Sequence, residues 1–269
     1  LESGEVFDVI TRREPAVAGL FYPADPAVLR HDVALLLRDG PKRATSSPKA
    51  LIVPHAGYQY SGSVAASAYR HLAGVRDRIE RVLLLGPAHR LWLDGLAVPS
   101  TDVFATPLGD VAIDTSARER ILDLPGVRVG DEAHRQEHCL EVQLPFLQMA
   151  LQDFRLLPIV VGQCTPATVA AVIDAEWGGD ETLIVISSDL SHYHRYDEAR
   201  RIDARTSRRI LNRSTELDGD EACGAAAVNG LMASPRARNL GIELIDLRNS
   251  GDTAGDRTRV VGYGAYVLH

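Results

Sequence analysis

Apolar residues in this chain gather in short runs separated by helical stretches. Four runs read as strands: Ala50-Leu51-Ile52-Val53, Val82-Leu83-Leu84-Leu85, residues 155–161, and Leu183-Ile184-Val185-Ile186. Short apolar runs with many β-branched residues, bounded by Gly, Pro or Ser, mark strands buried on both faces. Between them the period lengthens to that of a helix. Asp25 is placed as an N-cap with Pro26 at the first helical position, and Val28, Leu29, Val33, Leu36 and Leu37 form an apolar face that Gly40 ends. Further helices are predicted over 63–72, 138–151 with a kink at Pro145, 166–176, 198–212 and 221–232. Residues 41–48 read as a polar loop, and short strands at 96–99 and 111–113 flank a turn-rich stretch, 104–110. Strands at 242–247 and 260–268 complete the sheet. Alternating strands and helices predict one α/β domain, three-layer α/β/α, with a mixed, mostly parallel central sheet. Its expected span is 17–269, with 1–16 an N-terminal extension; the start at Leu1 rather than Met is expected to reflect an expression remnant or trimming.

Three of these runs break off into a histidine: Val53-Pro54-His55, Leu85-Gly86-Pro87-Ala88-His89, and Ser187-Ser188-Asp189-Leu190-Ser191-His192. In open α/β sheets ligands bind outside the carboxyl ends of the strands, so these imidazoles are expected to meet in one pocket. Imidazole is both the commonest ligand for transition metals and a proton carrier near neutral pH. His55 reads as a metal ligand or as a loop residue bonded to backbone, and His89 follows the same logic. Asp189 is placed to fix the tautomer of His192, or else to cap a turn. Cys223 is expected in the first turn of the 221–232 helix, where the helix dipole favours a thiolate, a strong ligand for Zn, Fe or Cu; the alternative is a merely buried thiol. Cys139 and Cys164 read as packing residues, and His194 as solvent-facing. His138 and Glu141, one helical turn apart, are expected to face the pocket, with Tyr58 lining it for a substrate. His134-Arg135-Gln136-Glu137-His138 also matches H-x-x-E-H, which would make Glu137 the base of a zinc peptidase, though so short a motif arises readily by chance. The stretch 250–256 is turn-rich and reads by default as a surface turn.

Composition narrows the classes. The 269 residues are 45% apolar and 24% charged, as in ordinary globular proteins, and the net charge of −7 argues against nucleic acid or an anionic membrane as the main partner. No apolar stretch reaches the ~18–20 residues that span a bilayer. Residues 1–13 carry acids and no apolar core, so no signal peptide is expected. Cys139, Cys164 and Cys223 are an odd, irregular set rather than a disulfide framework, and a cytoplasmic location is expected. There is no nucleophile elbow, P-loop or dinucleotide fingerprint, hence no expected nucleotide cofactor.

Taken in order, Val17-Ala18-Gly19-Leu20-Phe21-Tyr22-Pro23, Pro54-His55-Ala56-Gly57-Tyr58, Gly86-Pro87-Ala88-His89, Glu137-His138-Cys139-Leu140-Glu141, Ser187-Ser188-Asp189-Leu190-Ser191-His192, Cys223-Gly224 and Asn249-Ser250-Gly251-Asp252 resemble the Memo family, whose prokaryotic members are called the B component of the AmmeMemoRadiSam system. The resemblance runs from residue 17 to the C-terminus. It implies a fold similar to that of class III extradiol dioxygenases, whose iron is held by two His and a carboxylate. Carried over, it makes His55 and His89 ligands and His192 the acid/base. Cys223 falls where the dioxygenases have Glu, so ring-cleaving activity does not transfer with the fold. The implied function is a metal-dependent oxidoreductase acting on a small molecule, with one transition metal ion, Fe(II) first and Cu or Zn as alternatives. A non-catalytic metal- or peptide-binding module is the second reading, and the zinc peptidase the third. The family also implies a functional link to radical-SAM and AMMECR-type proteins; a homodimer is a further expectation.

Overall fold

The computed structural model describes residues 10–38 and 47–269. Residues 1–9 of the expected extension, the Gly40 helix stop and most of the 41–48 loop lie outside the described residues. In chain order the elements are β1 (Arg12–Arg13), α1 (Pro26–Arg38), β2 (Ala50–Val53), α2 (Ser63–Tyr69), β3 (Arg81–Pro87), β4 (Leu96–Val98), β5 (Val103–Thr106), β6 (Gly109–Ala112), α3 (Thr115–Leu122) and β7 (Val127–Val129). They continue with α4 (Asp131–Arg135), α5 (Leu144–Ala150), β8 (Arg155–Val161), α6 (Pro166–Ala175), β9 (Thr182–Ser187), β10 (His192–His194), α7 (Tyr196–Leu211), α8 (Ala225–Ala233), β11 (Ile242–Asn249), α9 (Ser250–Thr253) and β12 (Val260–Leu268).

The large sheet runs β10-β12-β2-β9-β3-β8-β4-β7, with β11 also paired to β12. Its centre, β2-β9-β3-β8, is parallel. Antiparallel pairs flank it, β12 on β2 and β4 on β8, so the sheet is more evenly mixed than expected. Burial on both faces is visible residue by residue. Leu51, Val53, Leu84 and Val185 join a core with α1, α2 and α5, while Ala50, Ile52, Leu85 and Ile184 join another with α3, α6 and α8. That alternation makes three layers from runs whose hydropathy shows no alternation at all.

Local signals explain most boundaries. Asp25 accepts hydrogen bonds from the backbone N–H of Ala27 and Val28, both at 2.9 Å, and so starts α1 as its sequence position predicts. Thr165 accepts from the Thr168 N–H ahead of Pro166 and α6. Pro145 does not kink a long helix. It occupies the first turn of α5, where its missing N–H costs nothing, after a 3₁₀ turn at Glu141–Gln143. The turn-rich 104–110 stretch is a hairpin, β5 against β6, joined by β1 in a separate sheet of three strands. Residues 12 and 13, expected before the domain, are thereby built into it. Among the described residues no helix is long and apolar enough to cross a membrane.

Candidate metal centre

The strands that run into histidines are neighbours: β9 pairs in parallel with β2 on one side and β3 on the other. Val53 lies opposite Ser187 and Leu85 opposite Ile186, so the three chains leave the sheet along one edge. The His55 and His89 ring centroids are 5.1 Å apart, and His138 comes within 4.8 Å of His89 and 5.5 Å of His55. One nitrogen from each of His55, His89 and His138 can serve as a ligand, and these three atoms lie within 4.8 Å of one another. A second group, His89, Glu137 and Cys139, meets the same limit. The expected trio of His55, His89 and Cys223 is therefore not the tightest one. His138 lies within that reach of both histidines, whereas the Cys223 thiol contacts the His55 ring of the two.

The hydrogen-bond network fixes the tautomers. The Ser187 hydroxyl donates to the Cys139 carbonyl at 2.7 Å and accepts from Gln143 Nε2 at 2.8 Å. Its proton is thus committed, and His55 Nδ1, 2.9 Å away, must donate to it. His89 Nδ1 donates to Glu137 Oε1 at 2.9 Å. With Nδ1 committed on both rings, Nε2 is the nitrogen each has left to offer a metal. Glu137 Oε1 also accepts from the backbone N–H of His138 and Cys139, at 3.0 and 3.1 Å. Burial opposes its ionisation, but the hydrogen bonds and charge of His89 outweigh it and hold the carboxyl at about 2. Burial pulls His138 down to about 3 and His55 well below the usual imidazole value, so both rings are neutral. The buried His138 Nδ1 lies 3.2 Å from Glu137 Oε1 without the alignment of a hydrogen bond.

Cys223 precedes α8, which begins at Ala225, and is not inside a helical turn. Burial, with the Asp189 carboxylate, pushes its thiol far above the usual range, opposite to the expected dipole effect. Its Sγ lies 3.2 Å from His55 Nε2 and accepts from the Asp189 N–H at 3.3 Å. Asp189 itself accepts from the backbone N–H of His55 at 2.7 Å. Burial raises its carboxyl to about 6 against that bond. Among the described residues no hydrogen bond joins Asp189 to the His192 ring, so the expected orienting contact is absent. His192 is aimed instead by its strand: β10 pairs with β12 across a register shift, and Tyr193 at its centre has φ of 61°. Such irregularities re-aim side chains beside ligand sites.

Two expected pocket residues lie elsewhere. Glu141 is fully buried, its oxygens bonded to Arg13, to Tyr22 Oη at 2.6 Å, and to the N–H of Ala16 and Val17 at 2.8 and 2.9 Å. Tyr58 donates its hydroxyl to the Val142 carbonyl at 2.7 Å and packs on Phe146. Both sit among core residues because a 3₁₀ turn, not a long helix, follows His138. The H-x-x-E-H pair does not form either: α4 ends at Arg135, and His134 Nε2 is bonded to the Ala97 carbonyl at 3.0 Å. Cys139 is buried, with Sγ 3.2 Å from the Pro87 carbonyl. His194 is half-exposed, with Nδ1 3.6 Å from Glu198 Oε2.

Above the histidines opens a cavity of about 660 Å³, walled by Phe21, Tyr60, Arg90, His192, Tyr193, Arg259 and Tyr263 among others. Ser250, Ala254 and Asp256 also line it, so the 250–256 stretch is a wall rather than a plain surface turn. Sequence reasoning gave no role to Ser187, Arg90 or Arg259, and placed Glu137 only in a peptidase motif. The signal for Glu137 was its position one residue before His138, but its partner His89 is 48 residues away.

A family profile described as "Memo-like protein" matches residues 13–267. The chain is 40% identical to a MEMO1 family protein of Aquifex aeolicus, over 93% of this chain and 97% of that one. It is 37% identical to a MEMO1 family protein of Methanothermobacter thermautotrophicus, covering 93% and 98% respectively. Among solved structures, an uncharacterized protein from Escherichia coli K12 superposes with a TM-score of 0.50 at 11% identity, over 81% of this chain and 98% of that one, a likeness of fold alone.

Proposed function

The chain belongs to the Memo-like family, and we propose that it is a transition-metal protein with His55 and His89 as the founding ligands and an oxidoreductase-type site above them. The observation that carries this reading is the pair of Nε2 atoms left to bind once Nδ1 of His55 and of His89 is tied to an acceptor, with a ring nitrogen of His138 within reach of the same pair of rings. Neutral imidazoles with such outer partners are the donor set of zinc, copper and iron sites. His138 and Cys223 flank the pair as the donors that complete it. Fe(II) is the first choice of ion, with copper or zinc as alternatives. When bound, the ion supplies Lewis acidity, and iron or copper adds redox chemistry.

The remaining chemistry belongs to the side chains. Glu137 keeps the His89 ring in place and its Nδ1 protonated. His192, at the cavity wall, exchanges a proton with the ligand in the cavity. Tyr60, Tyr193 and Tyr263 line the space and exclude bulk water from part of it.

Anaerobic purification followed by elemental analysis tests the reading. The wild type is expected to take up one equivalent of iron, copper or zinc, and His55→Ala and His89→Ala to lose it. Full occupancy in both variants overturns the site. Oxygen uptake that needs an added small molecule and vanishes in His192→Ala supports catalysis; metal binding without any such uptake points to a non-catalytic module.

A further inference from the structure

Four buried carboxylates are answered by arginines: Glu141 by Arg13, Asp114 and Glu176 by Arg81, and Glu221 by Arg209. Asp203, on the buried face of α7, is not. Among the described residues no ion pair reaches it. One oxygen, Oδ1, accepts from the Ser191 N–H at 3.1 Å, and the buried Oδ2 has no hydrogen-bond partner. His194, whose charge is felt at Asp203, is half-exposed and lies beside Glu198. Four further buried side-chain oxygens are equally unpartnered: Ser191 Oγ, Thr206 Oγ1, Ser207 Oγ and Tyr266 Oη. All five residues are at most 2% exposed.

These oxygens share one seam between α7 and β12. Thr206 and Ser207 follow Asp203 by three and four residues, so they sit on the same face of the helix. Ser191 is held against β12 by two backbone hydrogen bonds of 2.8 Å, from the Leu190 N–H to the Gly262 carbonyl and from the Gly262 N–H to the Ser191 carbonyl. A Cβ on Gly262 would run into Asp203 Oδ2, and one on Gly264 would lie 2.9 Å from Tyr266 Oη. The two glycines thus leave this face of the strand open to the oxygens. Burial raises the Tyr266 phenol, and Ser207 and Asp203 are the neighbours that also act on it. An unpaired carboxylate and four unpartnered hydroxyls buried together carry a cost that some partner must offset.

Water satisfies hydroxyls but does not balance the charge, and burial raises the Asp203 carboxyl only to about 6, so it is ionised at neutral pH. The donor set is all oxygen, without nitrogen or sulfur, which suits a hard cation. One carboxylate balances one positive charge. Calcium sites gather more oxygen ligands and charge, and magnesium keeps a shell of water that a buried seam does not admit. We propose that Asp203 Oδ2, Ser191 Oγ, Thr206 Oγ1, Ser207 Oγ and Tyr266 Oη bind one monovalent alkali cation, sodium or potassium, at a site separate from the histidine cluster. Ser191 precedes His192, so the ion ties α7 to the segment that delivers His192 to the cavity wall. The site stands whether or not the histidines hold a transition metal.

Urea unfolding just above neutral pH, at constant ionic strength with sodium, potassium or choline chloride as the only salt, tests this. Choline is too large for the seam, so in it only a proton can neutralise Asp203. The folding equilibrium constant is expected to be about tenfold higher in roughly 0.1 M of the preferred alkali ion than in choline, and to rise saturably with that ion. The larger response of the two names the ion. Asp203→Asn should abolish the difference between salts, and His55→Ala should keep it. Should Asp203→Asn fail to fold, Ser207→Ala carries the test: it keeps the charge but removes a ligand, so the half-saturating concentration should rise several-fold. Equal stability in all three salts overturns the proposal, as does an alkali dependence undiminished in Asp203→Asn or unchanged in Ser207→Ala. Loss of the dependence in His55→Ala would place the ion at the histidines and overturns it too.

Discussion

Glu137 closes two hydrogen bonds on His89: Oε2 accepts the backbone N–H at 2.7 Å, and Oε1 accepts from ring Nδ1 at 2.9 Å. One carboxylate thereby sets both the position of the loop and the rotation of the ring. Outer partners of this kind typically govern metal affinity by 10–100-fold. Glu137→Gln keeps the shape but brings an amide NH₂ toward a ring N–H, so metal affinity is expected to fall by about that factor while His89 remains in place. Competition with a chromophoric chelator measures it. Unchanged affinity in Glu137→Gln would remove His89 from the ligand set.

Glu141 shows how a carboxylate near the site can be purely structural. Its partners are the Arg13 guanidinium, a tyrosine hydroxyl and two backbone N–H groups, all out of contact with water. Removing one member of a buried ion pair leaves the other unpaired, at a cost of about 3–5 kcal/mol. Glu141→Ala should therefore be strongly destabilised in urea, and Arg13→Met/Glu141→Leu much less so. Equal losses in both would show that the backbone contacts, not the charge pair, dominate.

The contrast between these two glutamates marks what the sequence makes legible. Strands β2, β3 and β9 are written locally, because continuous apolar runs have few other uses, and the histidines at their ends follow from the edge rule. Helix α1 is likewise announced by Asp25-Pro26. The pairing of Glu137 with His89 and of Glu141 with Arg13 is set by tertiary placement across 48 and 128 residues, which no periodicity records. The role of Cys223 shifted for a smaller reason. The helix begins four residues later than expected, after turns in which Asp218 accepts from the N–H of Asp220 and Glu221, so the thiol loses the helical dipole and gains burial. His138, expected beside the pocket, lies against both histidines because the chain turns sharply after α4.

Asp203, on α7, carries a pH dependence. Its carboxyl is buried beneath Gly262, with one oxygen accepting from the Ser191 N–H at 3.1 Å and the other unpartnered. Burial raises it from the ordinary 3.8 to about 6. The folded chain thus holds this proton more tightly than the unfolded chain does. Its contribution is whole below the unfolded value and is lost as pH rises through about 6. Asp203→Asn keeps an acceptor for Ser191 without the buried charge. It should exceed the wild type in stability above that pH by about 1–3 kcal/mol, and the gain should vanish near pH 4. Urea titrations across that range read it directly. A gap independent of pH would mean that the carboxyl stays ionised throughout.

The loop that delivers Cys223 lies flush on the end of β9. Gly224 donates its N–H to Ser188 Oγ at 2.9 Å, and a Cβ there would meet Ser188 Cβ at 2.6 Å and the Ser187 carbonyl at 2.8 Å. Backbone at that distance cannot yield, so Gly224→Ala must lift the loop, at about 1–3 kcal/mol as for other overpacked positions. The Cys223 thiol then leaves His55 Nε2 and becomes accessible, which the rate of alkylation by iodoacetamide reports. If Cys223 completes the metal site, Gly224→Ala and Cys223→Ser should weaken metal binding together. If His138 is the third donor, His138→Ala should abolish binding while both Cys223-loop variants retain it. The ring separations favour the second outcome, because His138 stands close to both histidines whereas the thiol reaches one.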